Sequence, residues 1–180
     1  VSIAKIYDVV DLSIGARNLL RLTDGELWAH YPPGTSRTST VTTSKGTRST
    51  RVRAECIVTD TSETATFGLH QINEARIMKL KSGETYTLSF RARGNVSSLN
   101  YIYLMNSDGV SNQGIGTMAG NGLSQFNFGK YSRTFVANEN ADLSTGSFIM
   151  ISHRGPIDPS LWFEVEEVQI EAGNVSTDWT

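Results

Sequence analysis

Apolar and polar residues alternate with a period of two along much of the chain, and this alternation predicts β-strands. The pattern is clearest at residues 85–93, where Tyr86, Leu88 and Phe90 fall on one face. Residues 50–59 alternate as well, with a polar face that would be exposed to water. Similar patterns occupy residues 64–72, 98–105, 130–137 and 146–153. Together with the closing stretch of the chain, they predict about eight strands and no convincing helix.

The closing stretch, residues 161–179, contains a break in its alternation. Phe163 and Val165 fall on one face, and after the adjacent Glu166 and Glu167 the apolar residues move to the other phase. A period of two that slips by one residue indicates a β-bulge or a bend. We therefore interpret this stretch as the last strand of the fold, with an irregularity at the two glutamates.

The number and spacing of the strands predict an all-β fold, an antiparallel β-sandwich of the jelly-roll type. Residues 98–105 carry apolar groups on both faces, so they should form a central strand. Residues 35–50 are mostly Ser, Thr, Lys, Arg and Gly, which indicates a solvated loop or an edge strand. Residues 106–129 contain six glycines and form a long excursion, with a strand predicted at residues 124–128. Loops of this length are often functional.

A length of 180 residues predicts one domain. We assign residues 15–180 to the sandwich and residues 1–14 to a linker or to a strand from an upstream region. The formal net charge of −2 gives no long-range attraction to nucleic acid or to acidic membranes. No apolar run approaches the roughly 20 residues that span a bilayer. We therefore expect neither a nucleic-acid partner nor membrane insertion.

Signatures of catalysis are missing from the sequence, and we predict that the protein is not an enzyme. It contains neither G-x-S-x-G nor H-E-x-x-H, and its three scattered histidines and one cysteine cannot make a closed zinc site. Cys56 lies in a strand pattern and should be a buried, unreactive thiol. Residues 114–119 match G-x-G-x-x-A, but polar turn residues flank them where a dinucleotide site needs a strand and a helix. A carboxylate pair for glycoside hydrolysis stays open, because its separation is a three-dimensional property.

Three stretches of the sequence together resemble one group of proteins. They are GARNLL at residues 15–20, KSGETYTLSFRARG at residues 81–94 and FEVEEVQIEAGNVSTDWT at residues 163–180. The middle stretch resembles the G-x-x-Y-x-x-S-F-x-x-x-G strand of jelly-roll carbohydrate-binding modules. The other two resemble such modules in tail, baseplate and receptor-binding proteins of bacteriophages of Gram-positive hosts. The resemblance extends over about residues 15–180, although the residues between these stretches match no known pattern.

This resemblance implies non-catalytic binding of a host cell-surface saccharide by a concave sheet. It implies a place in the virion, on a phage tail that faces the host surface, where the partners are host cell-wall or surface polysaccharide and other phage tail proteins, in a homo-oligomer. No cofactor is required. In such modules a structural calcium ion often ties the N-terminal segment to the last strand, and Glu166 and Glu167 stand at the corresponding place. Both are therefore candidate calcium ligands.

Saccharide binding needs aromatic faces for sugar C–H surfaces and planar polar groups for hydroxyls, and such groups are usually few. The candidates at strand ends and on strand faces are Trp28, His30, Tyr31, His70, Tyr101, Tyr103, His153 and Arg154. We expect them on the concave sheet or beside residues 106–129. A tryptophan such as Trp28 lies more often in the core than in a ligand site, so both places stay open for it.

A basic run offers a second kind of ligand contact. It comprises Lys45, Arg48, Arg51 and Arg53, which could bind an anionic polymer such as a teichoic acid or simply protect an edge strand by charge. Two other functions also stay open. The sandwich could be a structural or assembly domain of the tail, or an accessory binding module of a cell-wall hydrolase.

Overall fold

The computed structural model describes residues 28–31, 38–46, 48–71, 80–106, 112–139 and 147–178. These ranges form ten β-strands and contain no helix, hence none long and apolar enough to cross a membrane. The strands are β1 (Trp28–Tyr31), β2 (Ser39–Lys45), β3 (Thr50–Cys56), β4 (Thr66–Gln71), β5 (Thr85–Gly94), β6 (Tyr101–Asn106), β7 (Asn112–Gly114), β8 (Gly129–Val136), β9 (Ser147–Arg154) and β10 (Trp162–Ala172).

The ten strands form two five-stranded sheets. The strand order is β1-β4-β9-β6-β7 in sheet A and β2-β3-β10-β5-β8 in sheet B. Every pair of neighbouring strands is antiparallel. This architecture confirms the all-β antiparallel sandwich that the alternation predicts. It also confirms β2 as an edge strand and places β6 inside sheet A.

The core lies between the inner faces of the two sheets, where the apolar residues of each strand point toward the facing sheet. Phe67 of sheet A and Phe163 of sheet B meet there with ring centroids 5.6 Å apart, and both side chains are fully buried. Cys56 is buried as predicted, and desolvation raises the pKa of its thiol. Because a raised pKa keeps the thiol protonated, Cys56 is a poor nucleophile.

The strand β10 lies at the centre of sheet B and contains the bulge that the sequence predicts. Its register against β5 shifts between Glu166 and Gln169, and Glu167 has a φ of 53°. The backbone N–H of Glu167 donates to the Ser49 hydroxyl at 2.8 Å. Because the bulge inserts one residue, Val168 returns to the core and Gln169 stays on the outer face. The outer face of β10 is therefore polar from Glu164 to Glu171.

Two other expectations have different outcomes. The prediction of a strand at residues 124–128 is wrong, because bends form there and no strand does. The Ser124 hydroxyl accepts hydrogen bonds from the backbone N–H groups of Phe126 and Asn127, at 3.3 and 3.1 Å, and so closes a turn. Residues 1–27 and 72–79 lie outside the described residues. The division at residue 14 thus stays a prediction.

Candidate functional site

Two of the sequence-predicted ligand residues lie inside the sandwich. Trp28 is 7% exposed and belongs to the core, and His153 is 5% exposed. The His153 ring packs edge-on against Phe67, and its Nδ1 lies 3.0 Å from the backbone oxygen of Ser98. Neither ring has the open face that stacking on a sugar requires. The placement of Trp28 and His153 in a binding site is therefore corrected: both are core residues.

The other predicted ligand residues lie along sheet A. Tyr101 and Tyr103 are half-buried on its outer face with ring centroids 4.6 Å apart, and the Arg154 guanidinium lies 5.0 Å from the Tyr101 ring. Half-buried positions are also found for His30 in β1 and His70 in β4. Tyr31 pairs with Gly68 in the ladder, and its side chain lies outside the described residues. Sheet A thus does not bring Trp28, Tyr101 and Tyr103 to one surface, and binding by the other residues stays a prediction.

The outer face of sheet B carries a different cluster. Two arginines project from β3 and two from β5, on either side of two glutamates of β10, and we call this surface the charged face. Its members are Arg51, Arg53, Arg91, Arg93, Glu164 and Glu166. The cluster forms because β10 pairs with β3 on one edge and with β5 on the other.

Each glutamate of the charged face is held by guanidinium groups from both neighbouring strands. The Glu166 carboxylate lies 3.1 Å from Arg51 Nη2 and 3.1 Å from Arg91 Nη1. The Glu164 carboxylate lies 3.1 Å from Arg53 Nη1 and 2.7 Å from Arg93 Nε. Because the Glu166 side chain is only 2% exposed, its ion pairs are shielded from solvent far more than surface pairs are.

Burial and ion pairing shift the pKa of Glu164 in opposite directions. Desolvation raises the pKa of its carboxyl group, but the hydrogen bonds and charges of Arg93 and Arg53 outweigh this effect, so the pKa lies below the ordinary glutamate value. A lowered folded-state pKa stabilises the fold above the unfolded-state pKa, and this stabilisation is lost as the pH falls through the folded value.

We therefore expect acid to destabilise the wild-type protein more steeply than Glu164→Gln. The difference should grow from about pH 5 downward, because only the wild-type carboxylate takes up a proton there. Urea denaturation of both proteins at a series of pH values measures the two slopes. Parallel slopes would contradict a lowered pKa at Glu164.

Two aromatic rings, those of Phe128 and Trp162, pack against the arginines of the charged face. The Phe128 ring centroid lies 4.7 Å from Arg51 Cζ and 5.0 Å from Arg93 Cζ, and Trp162 lies beneath Arg53 at 4.0 Å. These distances are within the range of cation–π attraction. Two residues before Phe128, the Phe126 side chain is 85% exposed and offers an open ring.

A cleft of about 360 Å³ opens beside the charged face. Its lining includes Arg48, Ser89, Arg91, Lys130, Glu167, Gln169, Thr177 and Asp178. Ser89 of β5 is 1% exposed, and within the described part of the chain its hydroxyl has no hydrogen-bond partner. A buried hydroxyl without a partner costs about 1–3 kcal/mol, so such a group calls for an explanation. We refer to this opening as the Ser89 cleft.

The segment after β10 forms one wall of the Ser89 cleft. The Glu171 carboxylate accepts hydrogen bonds from the backbone N–H of Thr177, at 2.9 Å, and from the Thr177 hydroxyl. Gln169 Nε2 donates to Glu171 and to the backbone oxygen of Thr177. Gly173, with a φ of 97°, allows the chain to turn back over the sheet. The polar residues beyond the bulge thus position this wall.

The two candidate calcium ligands do not fit a calcium ion well. Both oxygens of Glu166 are held by arginines, and Glu167 Oε1 lies 3.7 Å from Arg91 Nη1. An ion at this place would stand beside guanidinium groups that already neutralise the carboxylates. The described ranges also contain no group of three His, Cys, Asp or Glu residues arranged for a metal. Calcium binding stays a prediction that this geometry does not favour.

Sequence reasoning missed the charged face and the Ser89 cleft, although a signal was present. Arginines two residues apart occur in both β3 and β5, and Glu164 and Glu166 have the same spacing in β10. Such spacing places charges on one face of a strand. The missing information was that these three strands are neighbours.

No protein-family model matches the chain, and no curated protein matches it either. Several solved structures match the chain. The xylan-binding module CBM15 superposes with a TM-score of 0.55 at 10% identity, covering 93% of this chain and 96% of that one. A CBM4 structure superposes with a TM-score of 0.53 at 14% identity, and the match covers 82% of this chain and 96% of that one. The N-terminal cellulose-binding domain of Cellulomonas fimi β-1,4-glucanase C superposes with a TM-score of 0.53 at 15% identity. This match covers 85% of this chain and 93% of that domain.

The chain has the same β-sandwich fold as these carbohydrate-binding modules. The jelly-roll β-sandwich predicted from the sequence is thereby confirmed. At 15% identity or less, these matches establish the fold and leave the ligand open.

Proposed function

We propose that this protein binds a saccharide in the Ser89 cleft and carries out no chemistry on it. The buried, unpartnered hydroxyl of Ser89 is the observation on which the proposal rests. A volume of about 360 Å³ lies at the lower end of the usual range for small-ligand sites, so the cleft would admit a short piece of a glycan. The fold supports this proposal, because its structural neighbours include a xylan-binding module and a cellulose-binding domain.

The chemistry of the cleft matches a polyhydroxylated ligand. Ser89 can both donate and accept a hydrogen bond, and the Arg91 guanidinium can donate in a fork to two adjacent sugar hydroxyls. Glu167 and Asp178 supply acceptors on the same lining. The exposed ring of Phe126 gives a surface for sugar C–H groups in the neighbouring loop. Specificity would come from these few polar groups.

The charged face is poorly suited to glycoside hydrolysis. That reaction needs one carboxyl group with a raised pKa to protonate the leaving oxygen. The pKa of Glu164 is lowered, and Glu166 is bound by two arginines. Both carboxylates are therefore better suited to holding the arginines in place than to transferring a proton to a glycosidic oxygen.

We expect Ser89→Ala to weaken saccharide binding by about five- to tenfold, which corresponds to the loss of one hydrogen bond. Its stability should stay equal or rise slightly, because the variant removes a buried group without a partner. Calorimetric titration with xylo- and cello-oligosaccharides, beside thermal melting, measures both effects.

Ser97→Ala is the matched control, because Ser97 is exposed and lies away from the cleft lining. It should bind like the wild-type protein. If neither oligosaccharide binds, an array of diverse glycans extends the search. Absence of binding throughout the array would exclude the proposed function and favour a structural or assembly domain.

We further propose, from the sequence resemblance, that the module belongs to a phage tail or baseplate and that its ligand is a host-surface saccharide. The three stretches at residues 15–20, 81–94 and 163–180 support this setting. Several copies in one tail device would convert weak single-site binding into avidity. Sedimentation with purified Gram-positive cell walls, for the monomer and for an artificially trimerised protein, tests it. No retention of the trimer would count against a cell-wall ligand and favour a structural or assembly domain of the tail.

A further inference from the structure

We infer that the Ser89 cleft is selective for an acidic saccharide, whose carboxylate or phosphate group pairs with Arg48. This inference rests on the proposed saccharide binding and specifies its ligand class. It depends on two groups of the cleft lining. Among the described residues, the Arg48 guanidinium has no ion-pair partner and the buried Ser89 hydroxyl has no hydrogen-bond partner.

Most cations on this side of sheet B are already paired. The four arginines of the charged face contact Glu164 or Glu166. Lys130 Nζ lies 3.4 Å from the Asp178 carboxylate. Arg48 also lines the cleft, but within the part of the chain that the structure describes it makes no ion pair and no hydrogen bond. Its charge is available to a ligand.

The carboxylates near the cleft do not compensate Arg48. Glu167 has Arg91 as its nearest cation, at 3.7 Å, and Asp178 is paired with Lys130. The Glu171 carboxylate lies below the wall and accepts hydrogen bonds from Thr177 and Gln169. Asp178 and Glu171 thus have donors of their own, and Glu167 shares Arg91 with Glu166. None of these carboxylates pairs with Arg48, so an oxyanion of the ligand would meet Arg48 without competition from an internal ion pair.

The turn that carries Arg48 is held in place at the cleft. The backbone N–H of Gly46 donates to the backbone oxygen of Ser49 at 2.9 Å, which closes the turn between β2 and β3. The Ser49 hydroxyl accepts from the backbone N–H of Glu167, so the turn is attached to the bulge of β10. Arg48 therefore stands at a defined edge of the cleft.

Ser89 supplies the second donor. Ser89 lines the cleft and is 1% exposed, and its hydroxyl has no hydrogen-bond partner among the described residues. A carboxylate or phosphate presents several acceptor oxygens, and hydrogen bonds to such ionised groups are roughly twice as strong as neutral ones. A ligand oxyanion would thus satisfy Ser89 and neutralise Arg48 at once.

The test compares three probes of matched length by calorimetry. They are a neutral xylo-oligosaccharide, the same oligosaccharide bearing a glucuronic acid, and the same oligosaccharide bearing a phosphate group. We expect at least one acidic probe to bind about tenfold more tightly than the neutral one at low salt, and this advantage to shrink between about 0.05 and 0.5 M NaCl. The preferred acidic probe indicates whether the cleft favours a carboxylate or a phosphate group.

Arg48→Gln should remove the preference for the acidic probe and keep the affinity for the neutral probe within about twofold. Lys45→Gln is the matched control, since Lys45 is an exposed cation of the adjacent strand that does not line the cleft. It should keep the preference. Both variants should melt like the wild-type protein, because neither side chain has an ion pair among the described residues.

Two results would overturn the inference while the proposed function stands. One is equal affinity of the wild-type protein for neutral and acidic probes. The other is an equal loss of acidic preference in Arg48→Gln and Lys45→Gln, which would indicate a diffuse charge effect. Absence of binding by all three probes and by the wider glycan array would instead remove the proposed function, and this inference with it.

Discussion

Replacing Phe163 by alanine should lower the free energy of unfolding by about 4 kcal/mol. Phe163 is fully buried at the centre of sheet B and contacts Phe67 of sheet A, with ring centroids 5.6 Å apart. The variant loses the transfer free energy of the ring and leaves a cavity between two sheets, which cannot collapse without moving strands. Urea denaturation followed by tryptophan fluorescence measures the change.

Phe126→Ala is the matched control for this prediction. It removes the same side chain, but at a position that is 85% exposed, so the free energy of unfolding should change by no more than about 0.5 kcal/mol. If Phe163→Ala cost as little as Phe126→Ala, the two sheets would not enclose the core described above. A loss of saccharide affinity in Phe126→Ala, without loss of stability, would add its ring to the binding site.

Replacing Glu166 by alanine should lower the free energy of unfolding by about 2–3 kcal/mol, at or just below the lower limit of the values for broken buried ion pairs. The Glu166 side chain is 2% exposed, and its removal leaves Arg51 and Arg91 without their shared carboxylate. These arginines are 24% and 35% exposed, so water compensates part of the loss. Chemical denaturation at neutral pH and moderate salt measures the effect.

Glu55→Ala provides the comparison for Glu166. Glu55 also pairs with an arginine, at 2.7 Å from Arg53, but its side chain is 46% exposed. Exposed pairs contribute about 0.5 kcal/mol, so this variant should be nearly as stable as the wild-type protein. Equal losses in the two variants would mean that the charged face is hydrated throughout. In that case Glu166 could not organise the arginines beside the Ser89 cleft.

Several features of the fold were predictable because they depend on local periodicity. A strand residue and its second neighbour share a face, so alternation at residues 85–93 already showed which side chains of β5 would enter the core. The phase slip after Glu166 was readable for the same reason, and the register shift against β5 confirms it. For β2, the Ser, Thr and Lys content left a solvated loop or an edge strand open, and the strand order of sheet B decided for the edge strand.

The candidate site was not predictable in the same way, because it combines strands that are distant in the chain. The contact of Arg51 with Glu166 spans 115 residues, and that of Arg91 with Glu166 spans 75. Trp28 is a ligand candidate in the sequence because an aromatic residue at a strand end suits a sugar. The same ring suits a core equally well, and burial decided between the two positions.

The sequence by itself determined seven of the ten strands (β3 to β6 and β8 to β10), the inner faces of the clearest of them, the bulge of β10 and the sandwich class. Each of these follows from local alternation and turn residues. Only the tertiary structure decided that β10 lies between β3 and β5, that the Glu164 and Glu166 carboxylates bind arginines from both strands, and that Ser89 lies unpartnered in a cleft. The physical reason is that backbone pairing between distant strands sets these neighbours, and alternation within a single strand contains no information about its partner.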